Sequence, residues 1–247
     1  MRHAAAMASA LLALFALGGR GDAQEPLLAD LSNHLIAVTT GFTGAELLLF
    51  GAIEQPGDIA LVVRGPPTPM TVRRKERFVG VWVNEASVRF KDVPSFYGIA
   101  ATEGFVERAP PALLRSMQFG VDNLRLIAED RNTAEAGPFR AALVRRMKQD
   151  GLFGAGIEPV TVLADRLFRT SVWFPSNVPT GIYSVEVYFI VDGDIASAQT
   201  TPLSVSRLGI GAEVFYLAHR QAIIYGLVAI LMAGSAGWLA GFIFRKG

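Results

Sequence analysis

Histidine is the usual side chain of metal sites and of hydrolytic active sites, and this sequence has few histidines. The chain has 3 histidines, and outside the N-terminal leader only His34 and His219 remain. They form no His-x-x-His or His-Glu-x-x-His pair, the spacings that bring two imidazoles to one zinc ion. His34 begins a predicted strand and His219 precedes the apolar C-terminal stretch. We therefore expect neither a metal site nor a Ser-His-Asp site.

The sequence offers equally little evidence for calcium binding or for thiol chemistry. Asp192 and Asp194 flank Gly193 and could be offered as calcium ligands. Calcium takes at least about six oxygens, and no EF-hand loop surrounds the pair. Asp-Gly supplies the positive φ of a tight hairpin, so a turn is the favoured interpretation. Cysteine is absent, which excludes disulfides and thiolate chemistry.

The sequence RRKER, at residues 73–77, is the sharpest cluster of charge. Arg73, Arg74, Lys75 and Arg77 could contact anionic lipid headgroups or an acidic partner. The favoured interpretation is a solvated hairpin end or a guarded edge strand, where Lys and Arg discourage pairing with other chains. Glu76 within the cluster weakens it as an anion site.

Two further sets of side chains are assigned to structure. Trp82 and Trp173 lie in apolar strands and are predicted to be core or half-buried platforms rather than a ligand cage. The cations of a predicted helix are interpreted as its solvated face: Arg140, Arg145, Arg146 and Lys148. Formal net charge is +1, and no long run of one sign indicates a nucleic-acid partner. We predict no enzyme activity, no cofactor and no metal.

The elements that carry these residues begin with the two apolar ends. The chain is 51% hydrophobic and 18% charged, too apolar for an ordinary soluble domain and too charged for a protein with many spans. Residues 1–23 have a basic start at Arg2, an apolar core too short to cross a bilayer and small residues up to Ala23. We predict a signal peptide there, with an uncleaved anchor as the alternative.

Residues 222–244 contain no charged side chain. As a helix rising ~1.5 Å per residue they extend ~34 Å, enough to cross a hydrocarbon core of ~30 Å. Tyr225 and Trp238 fall toward the two interfaces. We predict one membrane helix, preceded by a juxtamembrane segment at 208–221 and followed by a tail at 245–247.

Small residues recur at steps of three or four along this helix and share one face. They are Ala222, Gly226, Ala229, Ala233, Gly237 and Gly241. Small-xxx-small spacing lets two helix backbones approach closely in lipid, where packing has to drive association. We predict a helix-packing interface with a second copy or with another membrane protein. The alternative is chance, because Ala and Gly are frequent in membrane helices.

Residues 24–207 read as an exported, mainly β domain. Short apolar runs alternate with Gly and Pro punctuation. In "GIYSVEVYFIVDGD" one face is predicted to be buried and the other to meet water, with "LFRTSVWF" as its neighbour. Apolar residues at helical spacing predict a helical insertion at 109–151, its second helix opening near Pro138. The predicted fold is an immunoglobulin-like β-sandwich with that insertion.

Several segments together resemble one family: "VRRKERFVGVWVN", "VPSFYGIAAT", "LFRTSVWFPSNVPTGIYSVEVYFIVDG" and "LAHRQAIIYG" with "AGWLAGFIFRK". They are similar to the alphaproteobacterial family named putative transmembrane protein, whose members share a signal peptide, an exported domain and one C-terminal span. The resemblance covers nearly the whole mature chain and implies no catalytic residue. Members look like neighbours of sulfite-exporter-type permeases, which points to a transport complex.

The resulting prediction is a single-pass protein of the bacterial inner membrane, with its N-terminal domain in the periplasm and its C-terminus in the cytoplasm. Its predicted role is that of an accessory or adaptor subunit of a membrane complex, which binds the lipid bilayer and another membrane protein or itself. The alternative is a membrane-anchored solute-binding or sensing module. That alternative requires a concave pocket lined by aromatic side chains.

Overall fold

The structure is a computed structural model that describes residues 26–78, 80–129, 133–208 and 222–244. The predicted signal peptide at 1–23, most of the juxtamembrane segment and the tail at 245–247 lie outside the described residues. Within them the protein is mainly β with a few helices, as the sequence predicts.

The strands are β1 (Leu27–Leu31), β2 (Leu35–Val38), β3 (Gly44–Ile53), β4 (Asp58–Arg64), β5 (Pro67–Phe78), β6 (Val81–Pro94), β7 (Tyr97–Ala101), β8 (Ile127–Ala128), β9 (Phe153–Pro159), β10 (Thr161–Leu163), β11 (Leu167–Pro175), β12 (Gly181–Val191) and β13 (Asp194–Arg207). The helices are α1 (Phe105–Arg108), α2 (Pro111–Met117), α3 (Thr133–Gln149) and α4 (Ala222–Phe244).

The strands form three sheets. We call them the outer sheet, in the order β1-β3-β11-β10, the central sheet, β2-β13-β12-β4-β7-β9, and the hairpin sheet, β5-β6-β8. Pairing is antiparallel except for β13 with β2 and β7 with β9. The long β5–β6 hairpin and helices α1 to α3 are inserted between β4 and β9 and lie beside the central sheet.

Strand β4 explains why the domain has three layers. Its five residues from Ile59 to Val63 are all 0% exposed. Because side chains alternate along a strand, Ile59, Leu61 and Val63 enter the core shared with the outer sheet, while Ala60 and Val62 enter a second core. A strand that is apolar on both faces has to lie in the middle layer, so it needs a cover on each side.

Aromatic side chains fill both cores. In the first, Phe96 stacks on Phe174 with ring centroids 4.7 Å apart, and Tyr183 packs against both rings. The Tyr183 hydroxyl donates to the Pro179 carbonyl at 2.6 Å, and burial raises the pKa of Tyr183 to about 12. In the second core, Phe105 meets Phe119 edge to face.

Strand β11 does not pair with β12, which corrects the predicted neighbour relation. It pairs with β3 and β10 in the outer sheet, whereas β12 lies between β13 and β4 in the central sheet. Residues 176–180 carry the chain from one layer to the other. β11 and β12, which follow one another in sequence, therefore face each other across the first core.

The polar face of β12 does not meet open water as the alternation predicts. Ser184, Glu186 and Tyr188 are only partly exposed, because the inserted segment covers this face. Alternation identified the two faces correctly, but it carries no information about a distant segment that packs on the second one.

The helical region also differs in detail from the expectation. Helix α2 ends at Met117, because Gln118 adopts a left-handed backbone with φ 52°. Residues 121–128 are turns and the short strand β8, although their apolar spacing suggests a helix. Helix α3 begins at Thr133 and carries Pro138 inside it. Its apolar residues at helical spacing, Phe139, Leu143 and Met147, are buried.

Helix α4 covers the residues predicted to form the membrane helix. Of the side chains at positions 224 and 242–244 nothing is described. In the parts of the chain that the structure does describe, no helix meets the length and apolarity needed to cross a membrane.

We expect Leu61→Ala to lower the free energy of unfolding by roughly 3 kcal/mol, because it opens a cavity in a strand packed on both faces. The measurement is denaturant unfolding of the purified protein in mild detergent. Leu163→Ala is the matched control, since Leu163 is 45% exposed. Equal losses for the two variants would contradict the central position of β4.

Candidate functional site

The outward-facing side of the outer sheet is covered with large apolar side chains, and we call it the outer face. Exposures between 42% and 65% are found for Leu28, Leu48, Phe50, Leu163, Leu167 and Trp173. Their strand neighbours, such as Leu27, Leu47 and Leu49, point inward and are buried. The strands that form this face are therefore apolar on both sides.

The strand register pairs Leu163 with Leu167, and it places the other large apolar side chains opposite small, polar or charged residues. Leu167 lies opposite Ala52, and Phe50 lies between Asp30 and Arg169 on the two flanking strands. Trp173 lies opposite Glu46. Charged groups of both signs thus alternate with the apolar side chains, an arrangement typical of protein interfaces more than of a lipid-facing surface.

Trp173 is 58% exposed, which corrects its prediction as core or half-buried platform. Its indole lies against Gly44, whose φ is +129°, and a Cβ at that position would collide with the ring. The absence of a side chain at Gly44 lets the indole lie flat beside the strand. The side chain of Trp82 lies outside the described residues.

The outer face is large enough to serve as an interaction surface. The four strands have 5, 10, 9 and 3 residues, so at ~3.4 Å per residue and ~4.8 Å between strands the whole face, its polar residues included, covers roughly 440 Å². An apolar patch of a few hundred Å² is the size of the largest patch on a typical monomeric protein, and such patches are often functional. The sequence signal was available: "LLLF" in β3 is a continuous apolar run, so apolar side chains lie on both faces of the strand.

The β1 edge of the outer sheet is closed to strand addition at its centre. The Gln199 side chain accepts from the Ala29 amide at 2.9 Å and donates to the Ala29 carbonyl at 2.7 Å. One amide side chain thereby satisfies the backbone groups that an added strand would use. A partner of this sheet would thus bind its face rather than this edge.

A largely buried ion pair within the central sheet is hydrogen-bonded to the inserted segment. Arg64, at the end of β4, pairs with Glu186 on β12, and their side chains are 20% and 19% exposed. Arg64 also donates to the Met117 carbonyl at 2.5 Å, at the end of α2. Nearby, the Tyr97 hydroxyl donates to the Gln118 carbonyl at 2.7 Å and accepts from the Gly120 amide. These contacts hold the turn after α2 against the sheet.

Protonation in this network is set by burial and by hydrogen bonds. Burial on its own would raise the pKa of Glu186, but hydrogen bonds from Tyr188 and Arg64 and the Arg64 charge lower it below the ordinary value. Burial, followed by the bond to Glu186, raises the pKa of Tyr188 to about 12. Glu186 is therefore ionised and Tyr188 neutral at physiological pH, the states that the geometry requires.

The basic cluster lies on β5, which is an edge strand of the hairpin sheet. The side chains of Arg73, Arg74, Lys75 and Arg77 are exposed, and the Arg74 guanidinium lies 5.9 Å from the centre of the Phe139 ring. This position agrees with an edge guarded by cations. Contact of these residues with an anionic partner stays a prediction.

A groove of about 790 Å³ runs along α3, lined by Arg140, Arg145, Lys148 and apolar residues. It is an open groove, not the aromatic-lined pocket that a solute-binding module requires. Arg140, interpreted from sequence as solvated, is half-buried and donates to the carbonyls of Asp122 and Leu124 at 2.9 and 3.0 Å. Its role there is to hold the preceding turns against the helix.

The other candidates do not assemble into a chemical site. Asp192 and Gly193 have φ values of 52° and 85° and form the predicted β12–β13 turn. His34 lies 3.2 Å from Asp30, and His219 lies outside the described residues. Among the residues that the structure describes, no three His, Cys, Asp or Glu side chains could hold a metal ion together.

The architecture defines a mainly β domain followed by a C-terminal helix. A sequence model of the family described as Putative transmembrane protein (Alph_Pro_TM) matches residues 26–246. The chain belongs to this family, as its resemblance predicts. No curated protein and no solved structure matches it.

We expect Arg64→Met to cost about 3 kcal/mol of unfolding free energy, because it leaves the Glu186 carboxylate buried without its cation. The measurement is chemical denaturation at neutral pH. The control is Arg89→Met: Arg89 pairs with Glu129 at 3.4 Å, with side chains 57% and 41% exposed, so its loss costs less than about 1 kcal/mol. A small effect at both positions would mean that the buried pair contributes little.

The lowered pKa of Glu186 also predicts a pH dependence. Its contribution to stability is present above the ordinary value of 4.5 and is lost as the pH falls through the lower pKa of the folded state. The stability gap between the wild type and Glu186→Gln should therefore be largest near neutral pH and shrink progressively below pH 4.5. A gap that stays constant down to strongly acidic pH would contradict the assignment.

Proposed function

We propose that this protein is a single-span protein of the bacterial inner membrane, with its β domain in the periplasm and its C-terminus in the cytoplasm. Family membership supports association with a membrane. The 23 residues of α4 include no acidic or basic side chain, which favours insertion of this helix into lipid. The basic start and small residues of segment 1–23 favour export of the domain.

We also propose that the two packed sheets form an immunoglobulin-like sandwich. The strand orders β1-β3-β11-β10 and β2-β13-β12-β4-β7 are those expected when the first strand is divided between both sheets. The parallel pairing of β2 with β13 agrees with this division. The Tyr183 hydroxyl bonds back to the carbonyl of Pro179, as in a tyrosine corner.

The function that the geometry supports best is that of an adaptor, an accessory subunit that binds another membrane protein through the outer face. One observation carries this proposal: six large apolar side chains are exposed together on a single sheet face. Asp30, Glu46 and Arg169 lie among them, and such charges set the register and the choice of partner in protein interfaces. A transport complex is the proposed setting, which the family resemblance supports.

Residues 209–221, which we call the tether, limit how far from the membrane a partner of the domain can lie. Residues 209–221 connect Leu208 to α4, and even fully extended they span at most about 45 Å. The domain therefore stays near the bilayer that holds its helix. A partner fixed in the same membrane meets the outer face at a high effective concentration, so a moderate apolar patch is sufficient for binding.

The small-residue face of α4 is the second proposed contact. Ala222, Gly226, Ala229, Ala233, Gly237 and Gly241 fall within about 120° of one another around the helix. A backbone-to-backbone contact there would align the two proteins within the lipid. We treat it as support for the outer face, because small residues are common in such helices.

A photoreactive residue in place of Phe50 should crosslink, in intact cells, to one membrane protein other than this chain. The same protein should be captured from position 237. Adding Leu28→Ser and Leu167→Ser should lower the yield from position 237 roughly tenfold, the effect of losing about 1.4 kcal/mol of binding free energy.

Position 127 provides the matched control for this experiment. Ile127 is 58% exposed but belongs to the hairpin sheet, so a photoreactive residue there should not capture the partner. Ile127→Ser should likewise leave the yield from position 237 unchanged. Capture of only a second copy, or equal capture from positions 50 and 127, would contradict the adaptor role.

A further inference from the structure

The two ends of the sandwich can be told apart from the strand directions. Strand β13 ends at Arg207, and the register places the end of β4 and the start of β12 beside it. The β2–β3 and β11–β12 loops lie at the same end. We call this the exit end, because the chain leaves the domain here toward α4. The opposite end, where β3 turns into β4 and β12 into β13, is the far end.

The far end is acidic. Its loops and turn residues carry Glu54, Asp58, Glu103, Asp165, Asp192 and Asp194, with Arg166 among them. One of the carboxylates is neutralised, since Asp58 accepts from Arg108 at 2.6 Å. A net negative charge therefore remains at the end of the domain that points away from the chain exit.

The exit end has the opposite character. Its described sandwich loops, at 39–43, 65–66, 95–96 and 176–180, contain no charged residue. Charged residues adjoin them at Arg207, the exposed last residue of β13, and just after α3, where the Asp150 carbonyl accepts from the Asn177 side chain at 2.9 Å. Hydroxyl groups are exposed in them at Thr39, Thr40, Thr43, Ser176 and Thr180. Apolar side chains flank the loops: Ile182, Trp173 and Leu208 are 72%, 58% and 46% exposed.

We propose that the exit end rests on the headgroup layer of the bilayer that holds α4. Uncharged loops lose little hydration free energy on contact with headgroups, and hydroxyls can bond to phosphate and carbonyl oxygens. Tryptophan favours this interface because its ring is apolar and its N–H is polar. The carboxylates of the far end are repelled by anionic lipid, which opposes the inverted orientation.

The inference rests on the proposed membrane span, which brings this end close to lipid, but not on the proposed partner. The chain leaves the domain at Leu208, and α4 begins at Ala222. An end-on contact therefore needs only part of the reach of the tether. The occupant of the exit end is the lipid surface itself, and the outer face stays free for a protein except at Trp173, which lies where the two surfaces meet.

The full-length chain offers a clean test, since it contains no cysteine. Single cysteines at exposed loop positions, Thr40→Cys at the exit end and Gln55→Cys at the far end, are labelled with an environment-sensitive fluorophore. Each protein is reconstituted into vesicles of phosphatidylcholine and phosphatidylglycerol, some of which carry a nitroxide on the headgroup. The label at position 40 should be quenched at least about threefold more than the label at position 55.

A charge placed at the exit end should weaken the contact. With the label at position 40, Thr180→Glu is expected to reduce the quenching by at least about half, and more strongly as the anionic lipid fraction rises. Gln55→Glu adds the same charge at the far end and should leave the quenching unchanged. Thermal unfolding of each variant checks that the domain stays folded.

The outcomes separate this inference from the proposed function. Equal quenching at both positions, or stronger quenching at position 55, while the protein stays in the vesicles through alkaline extraction, overturns the end-on contact alone. Loss of the protein from the vesicles overturns the membrane span and the contact together. Strong quenching at position 40 that Thr180→Glu abolishes supports the contact, whatever partner the crosslinks identify.

Discussion

The burial of β4 on both faces is the constraint on which the rest of this domain depends. With Ile59 to Val63 fully removed from solvent, the outer sheet has to cover one side and the inserted hairpin and helices the other. The insertion is therefore a structural layer, because without it Ala60, Val62 and the polar face of β12 would be exposed.

The inserted segment covers β12 and removes most of the water around the Glu186 carboxylate, and the ion pair with Arg64 compensates for this loss. A carboxylate on the covered face needs a cation within reach, and the last residue of β4 provides one. The same guanidinium bonds to the end of α2, so the pair also fixes where the insertion meets the sheet. A hydrophobic pair could pack as well or better. The polar version specifies one docking position through hydrogen-bond geometry.

Local sequence patterns predicted which segments form strands. They were insufficient for strand pairing and for burial by segments that are distant in the sequence. Alternation in β12 is a property of a few residues, and this strand formed as expected. The pairing of β11 with β3, and the cover over Glu186, depend on which layers the chain joins. The end of α2 depends on Gln118 entering the left-handed region, although the apolar spacing continues past it. The outer face is not predictable from "LLLF" alone, because an apolar run indicates a strand with two apolar faces but not which of them a second layer covers.

The direction of the strands connects the proposed surfaces. If the exit end rests on lipid, the strands of both sheets run roughly along the membrane normal, because that end is where β4, β11 and β13 all terminate. A sheet whose strands run along the membrane normal is perpendicular to the membrane plane. The side chains of its outer face therefore point sideways, along the membrane. The outer face then points toward the space that a neighbouring membrane protein occupies, while the acidic far end points into the solvent. End-on contact would thus pre-orient the apolar face, and binding of a partner would lose less rotational entropy than it would on a freely tumbling domain.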